Sequence, residues 1–142
     1  MQEHIEVIFT PLVVKPIAVV AAALSGFAVG GIWYGPLFGK SWMVASGLTA
    51  EDLQRSASPL RTYGTAFVAN FIGAWVLASV LGTDATPMNG AFVGGVIGLA
   101  WVATALATIY AFERRGPLLL MINAGYQVVA LAVTGAIIGL LQ

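Results

Sequence analysis

Four long apolar runs, none with an ionisable residue at its centre, constrain this chain more than any other feature. They cover about residues 16–34, 63–81, 89–112 and 118–141. A helix needs roughly 20 mainly apolar residues to cross the hydrocarbon core of a bilayer. The runs are unbroken rather than alternating, and four strands cannot close a barrel. The expected fold class is therefore an all-α integral membrane protein. Its four transmembrane helices form an antiparallel bundle in one domain, residues 1–142, with a short interfacial helix in the first loop. Composition points the same way. Of 142 residues, 59% are hydrophobic and only 8% charged, whereas a soluble domain carries roughly 25% charged residues. Six basic and six acidic residues cancel, which leaves no basic face for nucleic acid. With no cysteine, disulfides, thiolate metal sites and cysteine nucleophiles are excluded. Glu3, His4 and Glu6 stand where a signal peptide has its basic region, so the first run reads as a retained span.

Lysine and arginine set the expected orientation. Lys40, Arg55 and Arg61 fall in the first loop, residues 35–62, and Arg114 and Arg115 in the third, residues 113–117. The positive-inside rule places both loops in the cytoplasm and both termini outside. The turns between the second and third spans and between the third and fourth are short, which makes each pair antiparallel neighbours.

The segment Gly30 to Trp42 marks the cytoplasmic exit of the first span. Trp33, Tyr34 and Trp42 favour the headgroup level. Pro36 is expected to stop the helix, and Lys40 is the first charge beyond it. Leu37 to Ser46 mixes Phe38, Trp42 and Met43 with Lys40 and Ser41, which suits a helix lying in the interface. Thr49 reads as an N-cap, with Glu51 and Asp52 in the first turn of a helix ending near Ala57, before Ser58-Pro59. The alternative is a solvated connector. The N-terminal arm, with Ile5, Val7, Ile8, Phe9 and Pro11, is apolar enough to lie on the outer surface or pack on the bundle.

Small residues recur every four positions: Gly26 and Gly30, Gly31 and Gly35, Ala69 and Gly73, Gly90, Gly94 and Gly98, then Gly135 and Gly139. Glycine at that spacing lets helix backbones approach closely in lipid. Internal packing is the first expectation, and a strip such as Gly90-Gly94-Gly98 binding another subunit is the alternative. Phe27 to Ile32 also resembles Phe92 to Ile97, a weak sign of duplication.

Polar residues within the spans are few. Asn123 and Gln127 share a face, as do Thr104 and Thr108. Under the expected orientation Asn70, Thr108, Asn123 and Gln127 lie at or cytoplasmic of mid-membrane. They make either interhelical hydrogen bonds, worth about 0.6 kcal/mol each on average, or a neutral pocket. No acid or base sits at mid-span, where proton-coupled transporters place one. His4 is the only histidine. No helical His/Glu metal pair, GxSxG elbow or phosphate loop occurs, and Glu51 and Asp52 are adjacent and so diverge on a helix. No catalytic, metal or cofactor site is expected, and the chain is expected not to be an enzyme.

Two blocks carry a family resemblance. One is Gly31-Ile32-Trp33-Tyr34-Gly35-Pro36-Leu37-Phe38-Gly39-Lys40-Ser41-Trp42-Met43. The other is Phe112-Glu113-Arg114-Arg115 followed by Leu120-Met121-Ile122-Asn123-Ala124-Gly125-Tyr126-Gln127. They resemble the G-x-W-Y-x-P-x-F-G-K-x-W and F-E-x-R…I-N-x-G-Y patterns of the bacterial membrane family called domain of unknown function 1761. The resemblance implies a compact four-helix domain in the bacterial inner membrane and no particular activity. It also implies that Trp33, Tyr34, Pro36, Phe38, Gly39, Lys40 and Trp42 form one interfacial motif. Family members often carry histidine where Gln127 stands, so the resemblance lends that position no protonation role here.

The functional expectation is a non-enzymatic bundle in the lipid bilayer that assembles with itself or serves as an accessory subunit of a larger membrane complex. The alternative is an oligomeric channel or uncoupled carrier for a small neutral or lipid-like solute, using Asn70, Asn123 and Gln127. No specific small-molecule ligand is indicated.

Overall fold

A computed structural model describes residues 14–56 and 58–142, which are helical apart from short connections and contain no strand. Six helices follow in order: α1 Pro16–Leu37, α2 Gly39–Ser46, α3 Ala50–Ser56, α4 Pro59–Leu81, α5 Pro87–Glu113 and α6 Pro117–Leu141. Helices α1, α4, α5 and α6 have 22, 23, 27 and 25 residues and are long and apolar enough to cross a membrane. At about 1.5 Å per residue, each exceeds a hydrocarbon core of about 30 Å.

Each of these four helices opens on a proline: Pro16, Pro59, Pro87 and Pro117. The first helical position has no intrahelical acceptor for its N–H, so proline loses nothing there and its fixed φ favours the helix. Ser58 and Thr86 cap two of these starts, accepting from the N–H groups of Arg61 at 3.4 Å and Asn89 at 3.2 Å. The second span therefore begins at Pro59, four residues before the expected Tyr63. The third and fourth begin at Pro87 and Pro117, close to expectation.

Pro36 does not stop α1. Residues Trp33–Leu37 form a π turn with Pro36 inside it, and the Phe38 N–H donates to the Trp33 carbonyl at 2.8 Å. A π turn bonds to the fifth residue back, so its wider path accommodates a ring that would clash in an α-helix. The break falls at Phe38, with φ −123° and ψ 6°, and α2 starts one residue later. A second π segment, Gly98–Ala103, interrupts α5.

The connecting helices α2 and α3 form where the sequence places them. At α3, Thr49 Oγ1 accepts from the Asp52 N–H at 3.2 Å, and Asp52 accepts from the Thr49 N–H at 2.9 Å and its hydroxyl at 2.7 Å. This reciprocal arrangement is a capping box with aspartate in the glutamate position. The helix is described to Ser56; the N-terminal arm and Ala57 lie outside the described residues.

Helix α6 is the centre of the fold and packs most extensively on α5, then on α1. The α5–α6 seam is made of glycine. A Cβ on Gly90 would collide with the Gly135 carbonyl, one on Gly94 with the Leu131 carbonyl, and one on Gly139 with the Thr86 carbonyl. A Cβ on Gly98 would lie 2.7 Å from the Val128 Cα. These strips are thus spent within the chain, backbone against backbone.

A core of Val19, Ala22, Ala23, Ala74, Leu77, Ala78 and Ile138 closes α1, α4 and α6 at the end away from α2. Gln142 adds a clasp there, donating to the Ala78 and Gly82 carbonyls at the end of α4 at 3.1 and 2.7 Å. The buried residues of α4 are Ala74, Leu77 and Ala78, all in its last third. Towards Pro59, α4 stands off from α1, and Phe27 bridges the gap to Tyr63 and Phe67 with ring centroids 6.4 and 6.3 Å away.

Candidate functional site

The two sequence blocks meet at the α2 end of the molecule. Adjacent residues on a helix point about 100° apart, so Trp33 and Tyr34 straddle α6. The Trp33 indole N–H donates to the Ile122 carbonyl at 2.9 Å, and its ring lies over Gly125, where a Cβ would come within 3.0 Å of it. The Tyr34 hydroxyl donates to Asn123 Oδ1 at 2.7 Å, and Asn123 Nδ2 donates to the Tyr110 hydroxyl of α5 at 2.7 Å. One amide therefore ties three of the long helices together. Tyr126, one turn on from Asn123, lies tilted against Tyr34 with ring centroids 5.2 Å apart and donates to the Gly26 carbonyl at 3.1 Å.

The interfacial motif folds back on this cluster. Phe38 packs on Trp33 at 4.7 Å and Trp42 meets Tyr34 edge-on at 5.8 Å. Gly39 is required by proximity, because a Cβ there would sit 2.5 Å from the Tyr34 carbonyl oxygen. Lys40 lies on the exposed side of α2. On the other flank, the Arg115 guanidinium lies 5.3 Å from the centre of the Tyr110 ring and pairs with Glu113 at 2.6 Å. Arg114 adopts the left-handed conformation, φ 57°, that ends α5. The Arg115 and Arg114 N–H groups then bond the Tyr110 and Ala111 carbonyls at 3.0 and 3.4 Å, a Schellman turn without glycine.

Beside this cluster an open groove of about 560 Å³ separates α1 from the first half of α4. Its floor is Gly26, Gly30, Gly31 and Gly35, and its walls include Phe27, Tyr34, Tyr63 and Tyr126. Asn70 closes its inner end. The Asn70 amide nitrogen sits where a Cβ on Gly26 would be 3.0 Å away, and the Tyr126 hydroxyl where one on Gly30 would be 3.4 Å away. Gly31 and Gly35 also line the groove, and a Cβ on either would meet nothing within 4 Å.

A smaller recess of about 250 Å³ continues inward from Asn70 and Gly26. All four long helices line it, and Gln127 and Thr134 face it from α6.

The four expected pocket residues therefore divide. Asn70 and Gln127 share the recess. Asn123 is committed to Tyr34 and Tyr110. Thr108 is exposed on the far side of α5, donating to the Thr104 carbonyl of its own helix at 3.0 Å, and takes no part. The reason is its helix face. Four-residue steps from Gly90, Gly94 and Gly98 lead to Val102, Leu106 and Tyr110 on the packed side, leaving Thr104 and Thr108 opposite. That same step leads to Tyr110, and the I-N-x-G-Y block contains Tyr126, so both have a signal in residue spacing. Of the glycine positions, Gly26 and Gly30 face Asn70 and Tyr126 rather than another backbone.

Fold and site define a small helical protein with four segments able to span a membrane, an aromatic cluster at one end and a groove beside it. The model of a protein family of unknown function, DUF1761, matches residues 17–139, and the chain belongs to this family. Neither the curated proteins nor the solved structures contain a match to it.

Proposed function

We propose that this chain is a multi-pass inner-membrane protein, without catalytic activity, that binds an uncharged and mainly apolar solute in the groove between α1 and α4. The α2 end faces the cytoplasm in this reading, because Lys40, Arg55, Arg61, Arg114 and Arg115 all lie there. The groove itself is the observation that supports it. Its volume falls within the roughly 300–1,000 Å³ of small-molecule sites, and it is apolar with a few convergent polar groups, as such sites are. Among the described residues, no carboxylate or basic side chain lines it, so a charged solute would enter without a counter-ion from them. The protein then acts as a lipid-phase binding protein or uncoupled carrier, with the aromatic cluster fixing one wall. Assembly with a second copy or a larger complex needs surfaces other than the Gly90-Gly94-Gly98 strip, which α6 covers.

The test is what the protein carries from its membrane. Gly31 lines the groove and a Cβ there would meet nothing within 4 Å, so Gly31→Leu is the substitution chosen to occupy it. Solvent extraction and mass spectrometry of protein purified in mild detergent should find a neutral solute that the Gly31→Leu variant lacks. Identical extracts from the two proteins, or a wild-type extract no richer than the detergent blank, refute the proposal.

A further inference from the structure

The recess behind Asn70 contains a polar arrangement that the groove alone does not explain. Asn70 lies twelfth of 23 residues in α4 and Gln127 eleventh of 25 in α6, so both amides sit at mid-helix, the most apolar depth of a bilayer. Thr134 joins them and is 7% exposed. None of the three side chains makes a hydrogen bond with a described residue. By contrast, Ser25, Ser79, Thr104 and Thr108 all bond carbonyls of their own helices. Nor are the amide atoms of Asn70 and Gln127 sealed in: among the described residues, the buried side-chain atom left without a partner is Gln142 Oε1, far away. An amide in an apolar environment without a partner is costly. Two amides and a hydroxyl lining one reachable space are matched by an occupant that both donates and accepts.

We infer that the recess receives the uncharged, hydroxyl-bearing head of the solute, gripped by Asn70 and Gln127, while the apolar remainder lies along the glycine floor of the groove. This rests on the binding role proposed above and adds the chemistry of the head. A hydroxyl fits because each amide offers two N–H donors and a carbonyl acceptor, and Thr134 one further donor. A hydrocarbon end would leave all three unsatisfied. A carboxylate or ammonium would be buried at mid-membrane with no opposite charge among the recess residues. The recess is smaller than the groove, 250 against 560 Å³, so the head is the compact end. The two spaces share Gly26 and Asn70 as lining, so they adjoin at that point with the Asn70 side chain between them. The glycine at position 26 keeps that junction open, since a Cβ there would press on the Asn70 amide.

Three aryl trifluoromethyl-diazirine probes of matched size test this, differing only in a para hydroxymethyl, methyl or carboxylate group. Each is photolysed with the full-length protein in nanodiscs, and the labelled peptides are quantified by mass spectrometry. The hydroxymethyl probe should label the peptides containing Asn70, Val102 and Gln127 about tenfold more than the methyl probe, the discrimination of one or two good hydrogen bonds. The carboxylate probe should label them least. In the Asn70→Leu/Gln127→Leu variant the hydroxymethyl preference should fall to about unity while labelling around Gly31 and Tyr63 persists. Equal labelling of the wild-type recess by the hydroxymethyl and methyl probes overturns the inference, because the amides are then satisfied by water alone, and it leaves the groove as a binding site. Absence of labelling above the lipid-facing background in both spaces overturns the inference and the binding role beneath it. The wild-type comparison needs no variant to fold.

Discussion

Replacing Gly94 by alanine inserts one methyl group into the tightest seam of the molecule. Its Cβ would overlap the Leu131 carbonyl oxygen and lie 2.7 Å from the carbonyl carbon, with the Ala132 nitrogen at 3.2 Å. All three are backbone atoms in the middle of α6, so no side chain can swing aside. Carbon contacts settle near 3.5–4.0 Å, so the two helices must part by something on the order of 1 Å. Overpacking of this kind costs about 1–3 kcal/mol. Alanine is also the better helix former by about 1 kcal/mol in water, which offsets part of that cost. Gly31→Ala isolates the clash, because it makes the same chemical change in a helix where nothing lies within 4 Å. The stability difference between the two variants should be about 1–3 kcal/mol, Gly94→Ala being the weaker. Reversible unfolding in mixed micelles of mild detergent and dodecyl sulfate, followed by circular dichroism, measures it. The seam makes a second quantity available. One outward shift of α5 relieves both Gly90→Ala and Gly94→Ala, so the double variant should lose less than the sum of the singles by more than the roughly 0.3–0.5 kcal/mol seen for independent sites. Equal stability of Gly94→Ala and Gly31→Ala would refute the reasoning. So would unchanged stability with a smaller particle, the signature of a strip that joins subunits instead.

Asn123→Leu removes both hydrogen bonds that join α1, α5 and α6, and should destabilise the protein by about 1–3 kcal/mol, taking roughly 0.6–1.7 per interhelical bond. Tyr34→Phe should lose about half of that in the same unfolding assay. Gly39→Ala forces Phe38 and α2 away from the Tyr34 carbonyl, and should raise protease sensitivity in the 38–48 segment while the four long helices stay protected. At α3, the Thr49 backbone N–H and then its hydroxyl hold the Asp52 carboxyl below its ordinary value of 3.8. The folded form therefore prefers the ionised carboxylate. Its stabilisation is full above that ordinary value and is lost as pH falls through the lowered one. Amide exchange in Leu53 to Arg55, corrected for intrinsic rates, should accelerate over that acid range, and Asp52→Asn should remove the dependence.

Much of this architecture was legible from residue type and spacing. The length and apolarity of the runs gave the four long helices, Thr49 with Asp52 gave α3, and the two sequence blocks marked the aromatic cluster. The start of α4 was missed because Thr62, Arg61 and Tyr63 look like loop, while the informative residue was Pro59 with Ser58 before it. Pro36 misled because a proline after an apolar run usually ends a helix, and no pattern of side chains announces a π turn. The glycine strips were visible, but their partners were not, since a backbone carbonyl such as Leu131 has no sequence signature. Asn70, Asn123 and Gln127 illustrate the same limit. Helices apolar on every side lack the amphipathic stripe that would assign each amide to a neighbour.

The unequal closure of the two ends gives α4 a mechanical character. Its last third is fixed by Ala74, Leu77 and Ala78 and by the Gln142 clasp, whereas its first half borders open space. From Ala74 to Pro59 this free arm is about 22 Å long at 1.5 Å per residue. A tilt of about 5° about the fixed end moves Pro59 by about 2 Å over that arm length. At Tyr63, closer to the pivot, the same tilt moves the groove wall by about 1.4 Å, while the core contacts near the pivot barely shift. In such a tilt the alanine-rich end is the fulcrum of the helix. The loop that carries α2 and α3 is the handle attached to its free tip.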